Sequence, residues 1–383
     1  MTRALILLLL LALALALFAF WPRAEVDNGL SAALLATPYS PPGFARAEGP
    51  RAFSFPSDFG PHPEYQTEWW YYTGHLETSA GRRFGYQLTF FRRALVPMDL
   101  APERASEWAT NQIYMGHFAL SDIDGESFHA FERFARGAVG LAGAQNEPFT
   151  VWLEDWRVEQ VDAHRFSLYA ASEGMVIDLV LTDIKGPILQ GDDGYSQKGP
   201  EAGNASYYYS QTRLQSAGRV QIGEEAFAVE GLSWKDHEIS TSALSADQAG
   251  WDWFSIQLNN GYELMLFQLR SLDGSIDPYS SGTLIGPGGE TTRLARDDFA
   301  IETLDTWQSP HSGAEYPMGW RIRIAQAELE LEVRPYLEDQ ELRLSFTYWE
   351  GAVQVQGQFG GMAVRGQGYV ELTGYAEPMG GQF

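Results

Sequence analysis

Asp236, His237 and Glu238 form a single run just after Trp234, and Trp251, Asp252 and Trp253 follow across a polar segment of small residues. Carboxyls and an imidazole set between indole rings sit where water is scarce. Low dielectric disfavours the charged form and shifts their pKa values, which can bring a carboxyl into the range where it gives and takes protons at ordinary pH. In an extended strand Asp236 and Glu238 share one face and His237 takes the other, so the triplet cannot chelate a metal by itself. We assign no metal site. The plain alternative is two ordinary strands whose acids lie in solvent, the usual place for charge.

Aromatic residues cluster around further acids. Glu68 precedes Trp69, Trp70, Tyr71 and Tyr72; Tyr207, Tyr208 and Tyr209 are consecutive; Tyr348 and Trp349 stand together, and Glu371 follows Tyr369 closely. Such rings ordinarily fill β interiors. The sharper expectation is that Trp69, Tyr71, Tyr208, Trp234, Trp251, Trp253, Tyr348 and Trp349 line a barrel mouth that holds an apolar ligand. In that expectation Asp236 or Asp252 is an acid, Glu68 or Glu371 a supporting carboxylate, and His237 a base. In a purely binding protein, Asp236, His237 and Arg213 would instead satisfy one another near a domain interface.

The elements that must carry these residues read as strands. Residues 83–92 (RFGYQLTFFR) alternate, and short aromatic or β-branched runs recur at 70–76, 114–120, 149–158, 164–171, 175–182, 207–214, 251–258, 262–270, 320–324, 329–333, 342–349 and 368–374. Residues 100–108 are a helix candidate. A weak repeat relates EWWYYTGHL and GYQLTFFRR to GWDWFSIQL and YELMLFQLR. The class is therefore all-β, a sandwich or barrel, with two related antiparallel β domains in tandem, residues 53–215 and 216–383.

Composition narrows the function. Acids outnumber bases by 50 to 26, a net charge of −24, which argues against nucleic acid as a partner. The absence of cysteine removes thiolate sites, disulfides and a lipoprotein anchor. G-x-S-x-G, H-E-x-x-H and phosphate-loop motifs are also absent. Arg3 followed by an unbroken apolar run from Ala4 to Trp21 reads as a signal peptide or signal anchor over residues 1–24. Residues 25–52 are then a tether, and the expected setting is the periplasm.

Three stretches together resemble a known family: FPSDFGPHPEYQTEWWYYTGHL, GLSWKDHE with GWDWF, and YWEGAVQVQG with GQGYVELTGY. They are similar to the lipocalin-like family of AttH and carotenoid 1,2-hydratase (hydroxyneurosporene synthase), from about Phe53 to near the C-terminus. The resemblance implies two lipocalin-like β-barrels, no cofactor, and a hydrophobic isoprenoid or lipid ligand. Asp236-His237 matches the hydratase's Asp-His pair, whereas Glu238-Ile239 departs from it. Three functions follow: an exported binder that hands its ligand to a membrane transporter, a hydratase acting on an isoprenoid alkene, and a secreted hydrolase. In the hydratase, Asp236→Asn is expected to abolish product while sparing binding.

Overall fold

The computed structural model describes residues 41–102, 105–242 and 244–380. The expected leader and the tether as far as residue 40 lie outside the described residues. Strands β1 (Thr67–Glu77), β2 (Arg83–Ala94), β3 (Gln112–Asp122), β4 (Ser127–Arg136), β5 (Ala142–Asn146), β6 (Phe149–Leu153), β7 (Trp156–Gln160), β8 (Arg165–Ser172), β9 (Met175–Asp183), β10 (Pro187–Leu189), β11 (Tyr195–Gln197), β12 (Ala205–Ile222) and β13 (Glu225–Ser240) form one sheet of 13 strands. There follow β14 (Gln248–Leu258), β15 (Glu263–Ser271), β16 (Ser281–Ile285), β17 (Thr291–Ala295), β18 (Ala300–Thr303), β19 (Thr306–Gln308), β20 (Glu315–Pro317), β21 (Trp320–Ile324), β22 (Leu329–Pro335), β23 (Glu341–Arg343), β24 (Thr347–Phe359) and β25 (Met362–Leu372). All of these except the β19–β20 pair belong to a sheet of 10 strands.

The two sheets share one plan. The first runs β4-β3-β2-β1-β13-β12 and onward to β5, and it curls into a nearly closed barrel. The second runs β17-β16-β15-β14-β25-β24-β22-β21-β18. In each, the opening strand pairs with its hairpin partner on one side and with the closing strand on the other. The internal repeat in the sequence falls on these two opening hairpins. The chain passes between sheets at residues 241–247, so the expected boundary at Gln215/Ser216 falls inside β12. β12 runs straight through Ser216-Ala217-Gly218, the small-residue stretch at the expected boundary, because its pairing with β13 continues across it.

Two local expectations also change. Residues 149–158 are a hairpin, because Glu154 takes a positive φ of 56° and turns the chain between β6 and β7. Among the described residues no α-helix forms; the candidate at 100–108, of which 103 and 104 lie outside the described residues, follows a short 3₁₀ segment at Met98–Leu100 and has a turn at 107–108.

Both sheet interiors are filled. Trp70, Tyr72, Phe84, Tyr86, Phe90, Phe118 and Trp156 pack inside the first. Phe254, Ile256, Trp320, Val353 and Trp349 pack inside the second. β9 shows the rule plainly: Ile177, Leu179 and Leu181 are buried while Asp178 and Val180 are exposed. β1 breaks it, being buried on both faces except at Glu77 and, in part, Trp69. Its second face meets the other sheet, where Tyr71, Tyr208, Trp234, Trp253, Met265, Phe267 and Tyr369 form a separate buried cluster.

Candidate active site

The site lies between the two sheets and outside both interiors, which corrects the expectation of a ligand in a barrel mouth. Strand register assembles it. Across the first sheet, His117, Thr89, Tyr71, Asp236 and Ser210 stand opposite one another in one row. Met115, Phe91, Trp69, Glu238 and Tyr208 form the next row. Directly paired residues point to the same face, so each row presents a line of side chains. The second sheet answers with Phe267, Trp253, Glu371 and Glu350 in a row. All of these but Ser210, Tyr208 and Glu350 wall a cavity of about 130 Å³, together with Trp251, Leu269, Phe346, Tyr348 and Lys198. An engineered apolar cavity of about 150 Å³ takes up benzene, so this one suits the end of a ligand rather than the whole of a long one.

Of the expected acids, the cavity receives Asp236 and Glu371. Glu371 lines the cavity and accepts a hydrogen bond from the Trp251 indole at 2.8 Å through Oε2. Burial, together with the Glu238 and Asp236 carboxylates, lifts its pKa to about 7, against the pull of that indole. Asp236 is lifted to about 7 by burial as well, although Ser210, Tyr208 and Trp234 all donate to it, at 2.5, 2.6 and 2.7 Å. Both of its oxygens are thus engaged. Behind Glu371, Glu350 accepts from the Tyr71 hydroxyl at 2.5 Å, and burial with the Glu371 charge raises it well above the usual carboxyl range.

The Asp–His couple does not act together. His237 points into the first barrel, where Nε2 lies 2.8 Å from Glu68 and Nδ1 2.9 Å from the Tyr209 hydroxyl. Burial lowers its pKa to about 4, so it is neutral. Glu68 faces the same interior and Asp252 the second sheet's interior, held by Arg270 and Tyr375 at 2.9 and 3.1 Å. Glu68, His237 and Asp252 are therefore not cavity residues; a period of two puts each opposite a neighbour that is. Trp349 also turns inward, its indole on the Glu338 carbonyl at 2.7 Å. Arg213 binds Glu263 rather than Asp236 or His237. Tyr208 and Trp234 stand behind the wall: Trp253 donates to the Tyr208 hydroxyl at 3.1 Å, and Trp234 braces Asp236. Trp69, Tyr71, Trp251, Trp253 and Tyr348 line the cavity between the sheets.

His62, Glu68 and His237 converge in the first barrel with ligand atoms close enough for a metal. The residues fit an ion poorly. Glu68 and neighbouring Asp58 are already balanced by Arg92 at 2.9 Å and Arg51 at 2.7 Å, so a divalent cation would bring uncompensated buried charge. Burial pushes Glu68 up, but Arg92 and the two imidazoles outweigh it and hold it well below the usual range.

Sequence reasoning missed Glu350, His117, Glu132 and Lys198. Glu350 was within reach: in Tyr348-Trp349-Glu350, alternation places the tyrosine and the acid on one face. Lone His117 in an apolar strand gave no signal.

Comparison with known proteins agrees with this architecture. The AttH-like family model matches residues 46–375. A crystal structure named as an AttH of Nitrosomonas europaea is 36% identical, covers 87% of this chain and 100% of its own, and superposes with a TM-score of 0.77. Kievitone hydratase from Nectria haematococca is 15% identical over 89% of this chain and 99% of its own, with a TM-score of 0.66. CghA with Sch210972 is 13% identical over 90% and 96%, with a TM-score of 0.52. These two share the fold. No curated protein matches the sequence. On the span of the family match and the likeness to the Nitrosomonas structure, the chain belongs to the AttH-like family.

Proposed function

We propose that this protein admits the apolar end of a hydrophobic small molecule between its two sheets and adds water to an alkene there, without a cofactor. One observation carries the reading: Glu371 lines an aromatic cavity, where the Trp251 indole bonds one of its oxygens, and has a pKa near 7. Its proton moves to the less substituted alkene carbon, and the π pair forms the new C–H bond. The tertiary cation left behind lies among Trp69, Trp251 and Trp253. Ring faces stabilise a desolvated cation by up to about 2 kcal/mol. Water then adds to the cation. Kievitone hydratase, whose name states a hydration, shares this architecture.

The test is incubation with geraniol or geranylgeraniol in ¹⁸O-labelled water. The expected product carries one labelled hydroxyl, and Glu371→Gln loses the product while still quenching tryptophan fluorescence on binding. A wild-type protein that binds these alkenes and returns them unlabelled would establish carriage instead. That second reading is favoured by Asp236, whose oxygens are fully engaged by protein donors. Under it the expected leader places the protein outside the cytoplasm, and a membrane transporter receives the ligand.

A further inference from the structure

Beside Glu371 on the cavity wall, four residues from both sheets form a directed chain of hydrogen bonds. The Tyr348 hydroxyl lies 2.7 Å from His117 Nδ1, and His117 Nε2 lies 3.0 Å from Glu132 Oε1. Ser345 donates to Glu132 through Oγ at 2.6 Å and through its amide at 3.2 Å. Burial pushes Glu132 up, but hydrogen bonds from His117 and Ser345 outweigh it and keep it ionised. An ionised Glu132 accepts only, so His117 turns an Nε2–H to it and faces the phenol with Nδ1. The rings are fixed as well: Tyr348 stacks on His117 at 5.7 Å and 28°, and Phe91 meets the imidazole edge at 5.3 Å. His117 and Tyr348 both border the cavity, and Glu132 is reached from outside with about 10% of its side chain exposed. A carboxylate that fixes an imidazole tautomer, which in turn accepts a hydroxyl proton, is the logic of a nucleophile–base–orienter triad.

We infer that Tyr348, His117 and Glu132 are a proton relay that deprotonates the water captured in the cavity. The inference rests on the hydration reading. Glu371 gives its proton to the alkene, and the cation accepts an oxygen lone pair of water to form the C–O bond. The oxonium proton passes to the Tyr348 oxygen as the phenolic proton passes to His117 Nδ1. Glu132 holds the imidazolium that results. Return of that proton through water to Glu371 closes the cycle, so one water is consumed and no net proton. Tyr348 and His117 are the catalytic residues; Glu132 is a positioning residue.

Full-length wild type, Tyr348→Phe, Glu132→Gln and Glu371→Gln are compared on geraniol in D₂O. Mass spectrometry follows both the hydrated product and deuterium in recovered alkene. Tyr348→Phe is expected to lower hydrated product about 100-fold while recovered alkene still gains deuterium, because protonation of carbon precedes water capture. Glu132→Gln lowers kcat about tenfold at unchanged KM, and Glu371→Gln loses both signals. Hydration by Tyr348→Phe at the wild-type rate overturns the relay and leaves the hydration reading standing. A wild type that neither hydrates nor deuterates geraniol overturns both. Nitrogen-15 spectra of wild-type His117 give a check independent of turnover and of variant folding. They should show the Nε2–H tautomer, and protonation at Nδ1 sinks the relay.

Discussion

Glu371 carries its acidity as a consequence of where it sits. The groups that face it are the Trp251 indole from β14, Asp236 and Glu238 from β13, and Glu350 from β24. Its pKa is about 7, against 4.5 for the free side chain. Between those values the folded protein holds a proton that the unfolded chain has lost, so stability falls as pH rises through that window. Glu371→Gln removes this dependence. The melting temperature of the variant relative to wild type should therefore climb between about pH 5 and about pH 8. A constant difference would mean that Glu371 is not shifted. Turnover, which needs the protonated acid, should fall as pH rises through about 7. Asp236→Asn is a poorer probe than the sequence promised. An amide in place of a carboxylate that accepts three donors sets one N–H against another and should cost about 1–3 kcal/mol, readable as an earlier urea midpoint.

Strands decide which of these groups meet. β1 and the second half of β13, from Ser233 to Ser240, are buried on both faces, so each carries one set of residues for the barrel and another for the cavity. The sheets approach closely where β2 passes β24 and β25. A Cβ built on Gly85 would lie 2.6 Å from the Tyr369 hydroxyl and 2.7 Å from Ala352 Cβ. Gly85→Val therefore forces the sheets apart and should cost about 1–3 kcal/mol in thermal or urea unfolding. Wild-type stability in that variant would show that the sheets part without strain.

The molecule is held together across the cavity by buried polar groups as well as by rings. Glu263 of β15 is fully buried and takes Lys185 at 2.5 Å together with Arg213 of β12. His75 of β1 reaches the Gly368 carbonyl of β25 at 2.7 Å, and burial lowers its pKa to about 4. Glu263→Gln leaves two cations uncompensated at the interface. About 3–5 kcal/mol should be lost, with the urea transition moving to lower concentration and dividing as the sheets unfold separately. A single, unshifted transition would show that this ion group does not join the sheets. Because the cavity exists only while the sheets are docked, ligand binding should weaken in the same variant.

Alternation in the sequence determined the all-β class, the pairing of Asp236 with Glu238 on one face, the separation of His237, and the shared face of Trp251 and Trp253. These are local consequences of a two-residue period, and any extended chain obeys them. Which face looks into a barrel and which looks across to the other sheet is not a local property. Tyr71 and Glu350 lie 279 positions apart, and His117 and Tyr348 lie 231 apart. Only the docking of one sheet on the other could bring His117 to Tyr348, close the cavity over Glu371, and leave Glu68 and Asp252 on the far sides of their strands.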